Sequence, residues 1–410
     1  MIVRRFLAWA ATASATQRAL GAAALANAWL HADLSDEDRD EADVALTALL
    51  DDPAPCVRKA LAEVLGPSAG APHQVIVALA NDQSDVSTAV LRYSPLLSDS
   101  ELIDCAAIGD MFAQSSIALR PLVSPPVAAA LAEVGCLEAL IVLAVNGGAD
   151  IPDFSARRMV ARFGDDAELR EALLSRENLS AAVRSDLVAA VASALSAFVG
   201  ARGWLLAERM TRIVRESSDR AHIIIASDAG DTRGDGVEQL VQHLRSSGQL
   251  TSSLILRAIL SGNRPLFEAA MVDLSGLPKK KALGLARGSA EAFATLYRAA
   301  KMPAALQSAF TAAVANMPPE GASARLSRRA VERVLQACET INAGELNALL
   351  ALLRRFVAEA AREDAREALE EMRAPAVQLL PSFDPYAPPP SRPSRTVEID
   401  LARFEADLAA

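Results

Sequence analysis

Histidine and cysteine are the side chains most often used as metal ligands, general bases and nucleophiles, and this chain has four of each. They do not fall at metal-motif spacings, and the chain contains neither a Walker A sequence nor an HExxH sequence. The cysteines also lack the paired spacing of a zinc site or a disulfide framework, so we interpret them as small core residues. The residues concerned are His31, His73, His222, His243, Cys56, Cys105, Cys136 and Cys338.

Two short segments imitate functional motifs. Gly66 to Gly70 matches GxSxG, but a nucleophile elbow needs a preceding strand, and a helical pattern precedes this segment. The acidic run from Asp228 to Gly236 resembles a calcium loop, yet Arg233 and Gln242 occupy two ligand positions. We interpret both segments as loops between helices. The sequence therefore predicts a non-enzymatic protein with no catalytic residue, cofactor or metal ion.

The strongest pattern is a recurring turn in which an apolar residue is followed by Ser or Pro. The intervals between successive turns are 26, 26, 28 and 28 residues, and a fixed period of this size indicates stacked structural repeats. An apolar helical pattern runs before each turn and another follows it. The apolar residues are Ala71, Leu97, Val123, Ile151 and Leu179.

The turn residues predict helix starts. Ser98 and Glu101 are spaced as a capping box, with Leu97 and Leu102 as the hydrophobic staple. Ser124 is a predicted cap before Pro125 at the first helical position. Two helices of about ten residues fit each interval, and a pair this short must stack on its neighbours to bury its apolar face. The predicted fold class is all-α, a HEAT-like α-α repeat solenoid followed by a second helical domain.

Composition and charge agree with a helical, cytoplasmic protein. Hydrophobic residues make up 51% of the chain and aromatic residues 4%, so Ala, Leu and Val must build the core. A net charge of -10 argues against a general nucleic-acid binder. The uncharged run Leu187 to Ala201 is too short for a membrane span. The first twenty residues resemble a secretory signal, but their helical pattern continues, so we predict a first packing helix instead.

Periodicity and proline content predict four regions. Residues 1–200 form the repeat domain, residues 201–320 a second helical domain, and residues 321–373 a long helical extension. Residues 374–410 combine a proline-rich linker with a terminal peptide of regular apolar spacing. We predict that this peptide docks on a protein surface, in cis or in trans, through Ile399, Leu401, Phe404 and Leu408.

Over residues 40–315 the chain resembles a bacterial family, domain of unknown function 2336. The resemblance lies in ordered phrases and their spacing: VRKALAEVL, LRYSPLLSDSEL, LRPLVSPPVAAAL, NGGADIP, GQLTSSLILRAILSGNRPLFEAAMVDLSGLP and FATLYRAAKMPAAL. It implies an α-helical protein with HEAT-like repeats and no assigned activity. It supplies no catalytic motif.

Two sets of basic residues are candidates for binding. Three arginines, Arg92, Arg120 and Arg176, precede three of the turns and form an interaction ladder if they share an edge. The alternative is that each caps helix carbonyls or lies in water. The segment from Ser275 to Lys301 is the other candidate, because it carries six basic residues against Glu291. The basic residues are Lys279, Lys280, Lys281, Arg287, Arg298 and Lys301.

The function predicted is a scaffold, adaptor or regulator that binds a protein partner through its helical-repeat surface. The alternative is association with nucleic acid through residues 279–301, since basic stripes on helical solenoids can follow phosphates. Consecutive lysines fan around a helix axis rather than line one face, which favours the protein partner. Neither a membrane partner nor an oligomeric state is predicted.

Overall fold

The computed structural model describes residues 8–10, 12–177, 179–232, 235–319, 325–339 and 347–378. Two compact units divide the chain, Met1–Val357 and Ala358–Ala410. The described residues are 76% helical. Among them there is no β-strand, only one isolated parallel bridge. The predicted all-α repeat fold is therefore confirmed.

The first half of the chain is a series of short helices. It begins with α1 (Ala15–His31), α2 (Asp36–Leu49), α3 (Pro55–Leu65), α4 (His73–Ala80), α5 (Ser84–Tyr93) and α6 (Asp99–Ile108). It continues with α7 (Met111–Ala118), α8 (Pro125–Val134), α9 (Leu137–Val145), α10 (Asp153–Phe163), α11 (Ala167–Leu174) and α12 (Ala181–Ala201). Each predicted turn separates two of these helices, beginning with α3 and α4 around Ala71 and ending with α11 and α12 around Leu179.

These helices stack in two rows. One row runs through α1, α3, α5, α7, α9 and α11, and the other through α6, α8, α10 and α12. A single hydrophobic core extends between the rows from Ala22 to Leu187, built almost entirely from Ala, Leu, Val and Ile. The turn residues Ala71, Leu97 and Val123 are buried in it. Sharing one core is what stabilises helices that are too short to bury an apolar face in pairs.

The predicted cap chemistry is present at Ser98 but not at Ser124. Ser98 Oγ accepts from the Glu101 amide at 3.4 Å, and Glu101 Oε2 accepts from the Ser98 amide at 2.8 Å, which completes the capping box. The Ser124 hydroxyl is buried and has no hydrogen-bond partner among the described residues. Pro125 alone therefore shapes the start of α8, since its missing amide and fixed φ suit the first helical position.

Side chains from one repeat cap the helix carbonyls of the preceding repeat. Arg120 Nη1 and Nη2 donate to the carbonyls of Leu91 and Ser94 at the end of α5, at 2.6 and 2.7 Å. Asn146 Nδ2 does the same for α7, donating at 2.8 Å to the carbonyls of Ala118 and Arg120. The last carbonyls of a helix have no partner within the helix, so these contacts satisfy them and join the repeats.

Arg176 continues this series at the end of α9, and Arg162 repeats it in the other row. Arg176 donates to the carbonyls of Ala144, Asn146 and Ala149 at 2.6 to 3.0 Å. Arg162 donates to the carbonyls of Ala132 and Gly135 at 2.8 Å. A cation is favoured at a helix C-terminus, where the macrodipole is negative.

Nearer the N-terminus, ion pairs join the repeats instead. Arg18 Nε lies 2.7 Å from Asp52 Oδ2, and Arg58 contacts Asp82 in the same way. Hydrogen bonding to these arginines lowers the pKa of both carboxyl groups below its usual value. Both carboxylates also accept a backbone amide, from Ala54 and Gln83 respectively.

Gly148 is required where two repeats meet backbone to backbone. Val123 donates to the Gly148 carbonyl at 3.2 Å and accepts from the Asp150 amide at 3.0 Å, forming the isolated bridge. A Cβ at Gly148 would lie only 1.9 Å from the Pro121 carbonyl oxygen, so no other residue fits without moving the backbone.

Helices continue through the second half. They are α13 (Ala207–Thr232), α14 (Gly236–Ser246), α15 (Ser252–Leu260), α16 (Arg264–Ser275), α17 (Lys279–Ala286), α18 (Ala290–Ala299) and α19 (Gln307–Ala315), with a 3-10 turn at Ala304–Leu306. They are followed by α20 (Arg328–Glu339) and α21 (Asn347–Gln378). The row that ends with α11 is followed by a row of α13, α15 and α19, while α14, α16 and α18 extend the row of α12.

The structure differs from the predicted organisation at three places. The boundaries predicted at residues 200 and 320 fall inside the first compact unit. At residue 200, α12 packs on α10 on one side and on α13 and α14 on the other. Asp228 to Thr232, predicted as loop, form the last turn of α13. Helix α21 continues to Gln378, inside the segment predicted as linker from residue 374.

We expect replacement of Arg120 by Met to lower the free energy of unfolding by about 1–3 kcal/mol, because the carbonyls of Leu91 and Ser94 lose their partners. Arg158→Met is the matched control, since Arg158 pairs with an exposed Glu133 at 2.8 Å and its loss should change stability by about 0.5 kcal/mol or less. Urea denaturation measures both. Equal losses would contradict a special role for the contacts between repeats.

Candidate interaction site

The three arginines predicted as a ladder do not form a common exposed edge. Arg120 and Arg176 use their donors on backbone carbonyls, and burial lowers the pKa of both guanidinium groups below its usual value. Arg92 lies over the ring of Tyr93 at 4.9 Å, and its Nε is buried without a hydrogen-bond partner among the described residues. Carbonyl capping, the second interpretation of these residues, describes Arg120 and Arg176.

The lysines predicted for nucleic-acid binding lie exposed in the first turn of α17. Lys279 Nζ contacts Glu238 on α14, and Arg287 Nε lies 2.6 Å from Glu268 Oε1. Part of the positive charge of residues 279–301 is thus neutralised within the fold, while Lys280, Lys281, Arg298 and Lys301 are exposed. The tail residues Ile399, Leu401, Phe404 and Leu408 lie outside the described residues.

The most unusual surface is the hairpin formed by the C-terminal half of α12 and the N-terminal half of α13, residues 188–218. All of these residues are described, and none of them is buried. Several are large and apolar, with exposed fractions of 56% for Leu195, 64% for Trp204 and 81% for Leu206. We call this segment the arm.

One face of the arm is an apolar groove with a volume of about 660 Å³. It lies between the end of α11, where Leu174 borders it, and α13. Arg184 and Asp228, which pair at 3.1 Å, lie at its base. The apolar side chains that line it from α12 and α13 are Leu187, Val188, Val191, Leu195, Val199, Met210, Ile213, Val214, Ile224 and Ile225.

The tip of the arm is basic and aromatic. The guanidinium of Arg202 lies 3.7 Å from the centroid of the Phe198 ring and 5.3 Å from that of Trp204. The two rings meet edge to face at 5.9 Å. These contacts order the tip although it is exposed, since cation–π and edge-to-face pairs are both attractive.

Beside the base of the arm lies a buried polar cluster that the sequence did not predict. Asp219 of α13 is 4% exposed and accepts a hydrogen bond from Ser253 Oγ. Burial raises the pKa of Asp219 to about 6, opposed by the nearby Arg257 and Arg215. One turn along the helix, burial lowers the pKa of His222 to about 4, with a further contribution from His243.

The cluster has no catalytic geometry. Ser185 Oγ and His222 Nε2 are 3.0 Å apart, as in a nucleophile and its base, but Ser185 is completely buried and no substrate could reach it. His222 Nδ1 has no hydrogen-bond partner among the described residues, so no carboxylate orients the ring. His243 Nε2 lies 2.8 Å from Asp186 Oδ1 instead. Within the described part of the chain, no group of three His, Cys, Asp or Glu side chains could hold a metal ion.

Helix α12 is also, among the described helices, the one long and apolar enough to cross a membrane by length and composition alone, with a mean hydropathy of 1.5. A single helix of this kind is weak evidence of a span. Val183, Ser185 and Leu187 near its start are buried in the protein, and its eighth residue onward belongs to the arm.

Stacked helical pairs, a shared aliphatic core and carbonyl capping between repeats define an all-α helical-repeat protein. The model of a bacterial family, described as an uncharacterised protein conserved in bacteria (DUF2336), matches residues 86–350, more than half of the chain. The chain therefore belongs to this family, as its sequence phrases predicted. No curated protein and no solved structure matches it.

The arm has one signal in the sequence, an uncharged run that also resembles a short membrane span. The fifteen residues from Leu187 to Ala201 carry no charge. A surface helix that buries only one apolar stripe has charged or polar residues on its other face. Whether such a helix is buried depends on what packs around it, which the sequence pattern does not specify. The polar cluster had no local signal, because its members come from α12, α13, α14 and α15.

Asp219 and His222 make opposite contributions to stability between pH 4 and 6. The raised pKa of Asp219 stabilises the fold in acid, and this contribution is lost as the pH rises through about 6. The lowered pKa of His222 stabilises the fold above about pH 6.5, and this contribution is lost as the pH falls through about 4. Each pKa shift corresponds to a change of about 3 kcal/mol in the free energy of unfolding, so the two pH dependences nearly cancel in the wild type.

Single substitutions should reveal these opposed contributions. In Asp219→Asn we expect the free energy of unfolding to rise as the pH increases from 4 to 6.5. In His222→Gln it should fall as the pH increases from 4 to 6. Urea denaturation across this range measures both slopes. Two variants with the same pH slope would contradict the assignment.

Proposed function

We propose that this protein is a non-catalytic scaffold or adaptor, acting in the cytoplasm, that binds a protein partner through the groove of its arm. The observation that carries the proposal is an arm of 31 consecutive residues without a buried one, with large apolar side chains along one face. Exposed apolar patches above several hundred Å² are rare on monomeric proteins and mark interaction sites.

The surroundings of the groove support a binding role over a catalytic one. Its lining is aliphatic, and its charged groups, Arg184 and Asp228, are paired at the base. Its hydroxyls, from Ser196, Ser217 and Ser218, have no histidine or cysteine beside them among the described residues of the lining. The groove suits the burial of an apolar helix face, which is how amphipathic helices are recognised in grooves.

A photo-cross-linking side chain at Leu195 should capture a protein in living cells, and the same group at Leu122 should not. Leu122 is the matched control because it is 78% exposed but lies outside the arm. Adding Ile213→Glu should reduce capture at Leu195 tenfold or more, since a charge in the groove would be desolvated on binding. Equal capture at both positions would contradict the proposal.

Nucleic-acid association through residues 279–301 remains the alternative proposal, supported by the exposed Lys280 and Lys281. If it is correct, the protein should be retained on DNA or RNA in a salt-dependent manner, and Lys280→Glu with Lys281→Glu should abolish retention. Leu195→Glu should leave retention unchanged. Retention that does not respond to the lysine substitutions would exclude this segment.

A further inference from the structure

We infer that the occupant of the groove is the arm of a second copy of this chain, so that two arms form an antiparallel four-helix bundle around a twofold axis. This inference rests on the proposed function of the groove. It specifies the partner, the orientation and the residues that meet.

The shape of the arm is that of half a bundle. In the arm, α12 and α13 pack on one another and leave an apolar seam open on one side. In four-helix bundles each helix contributes such a seam to a central core, and two hairpins supply all four helices. The other face of the arm is more polar, with Ser193 and Arg215 beside a second cavity. One face alone is thus suited to burial.

The apolar surface is large enough for a stable dimer. Seven large apolar residues of α12, α13 and the turn between them are substantially exposed. Val191, Leu195, Ile213 and Ile224 line the groove, and Phe198, Trp204 and Leu206 lie at the tip beyond it. Their exposed fractions correspond to roughly 700–800 Å², close to the ~800 Å² that one partner contributes to an interface of standard size. A twofold arrangement buries this surface in both copies at once and closes the assembly.

The charges of the arm specify an antiparallel orientation. Arg202, Arg209 and Arg212 are exposed at the tip, where Glu208 is the acidic residue. Glu177 lines a small cavity at the base beside the Arg184–Asp228 pair, about 28 Å from the tip along α13 at 1.5 Å per residue. With the two arms antiparallel, the basic tip of each copy meets Glu177 at the base of the other. A parallel arrangement would bring the two basic tips together.

The test is the solution mass of the full chain, measured by light scattering and sedimentation over a range of micromolar concentrations. We expect twice the chain mass of 43.2 kDa for the wild type. Leu195→Glu and Ile213→Glu should each weaken the dimer tenfold or more, whereas Leu122→Glu should not. Circular dichroism of each variant checks that a monomer is folded. A wild type that is monomeric throughout overturns the inference.

Charge reversal tests the orientation separately. Arg209→Glu with Arg212→Glu should weaken the dimer at least tenfold, because an acidic tip then meets an acidic base. Adding Glu177→Arg, an exposed position, should restore part of the affinity. A dimer that is unaffected by both changes overturns the antiparallel bundle.

The cross-linked product at Leu195 separates this inference from the proposed function. A product of twice the chain mass supports the second copy. A product with another protein, or with the tail peptide of the same chain, overturns the second copy and leaves the groove as a binding site. A third outcome is that the wild type is monomeric and floats with phosphatidylcholine–phosphatidylglycerol vesicles, whereas Leu195→Glu does not. This result overturns both proposals, because the groove then binds a membrane surface.

Discussion

A helix of eight to eleven residues cannot bury its apolar face alone or satisfy its own terminal carbonyls, and the first half of this fold depends on that limit. The core is shared along the whole stack, from Ala22 to Leu187. The free carbonyls at the ends of α5, α7 and α9 are satisfied by Arg120, Asn146 and Arg176 from the following repeat. Each repeat therefore depends on its neighbour for apolar burial and for hydrogen bonding, which couples the repeats.

The same limit explains the arm. Helices α12 and α13 have 21 and 26 residues and extend beyond the neighbours that cover the shorter helices. The base of the arm is fixed by buried polar contacts among Ser185, His222, Asp219 and Ser253. Residues 188–218 include no buried residue, and Glu216 among them pairs with Arg355 of α21. Apolar surface left uncovered in this way favours association with another chain, because burial removes it from water.

Local sequence predicted the parts of the fold that depend on local chemistry. The capping boxes, the proline at the start of α8 and the helix on either side of each turn follow from residues within one turn of each other. The prediction for Ser124 was wrong in one respect, because its hydroxyl does not cap the helix. The residues from Asp228 to Thr232 were predicted as a loop because they are rich in glycine and acidic residues. Helix α13 continues through these residues, because extending an existing helix is easier than starting one and outweighs their low helix propensity.

The site was less predictable, since its residues are related only through packing. The arginine positions were visible in the sequence, but whether Arg120 and Arg176 face solvent or a carbonyl depends on where the preceding helix ends. Likewise His222 and His243 are distant in sequence and meet because α13 and α14 pack on one another.

The sequence by itself determined the class of fold, the repeat boundaries and the family, because caps, periodicity and composition act over a few residues. Only the tertiary structure decided which apolar residues remain exposed and which polar residues meet. Exposure is a property of what packs against a helix, and no pattern within α12 or α13 records that residues 188–218 stay unburied.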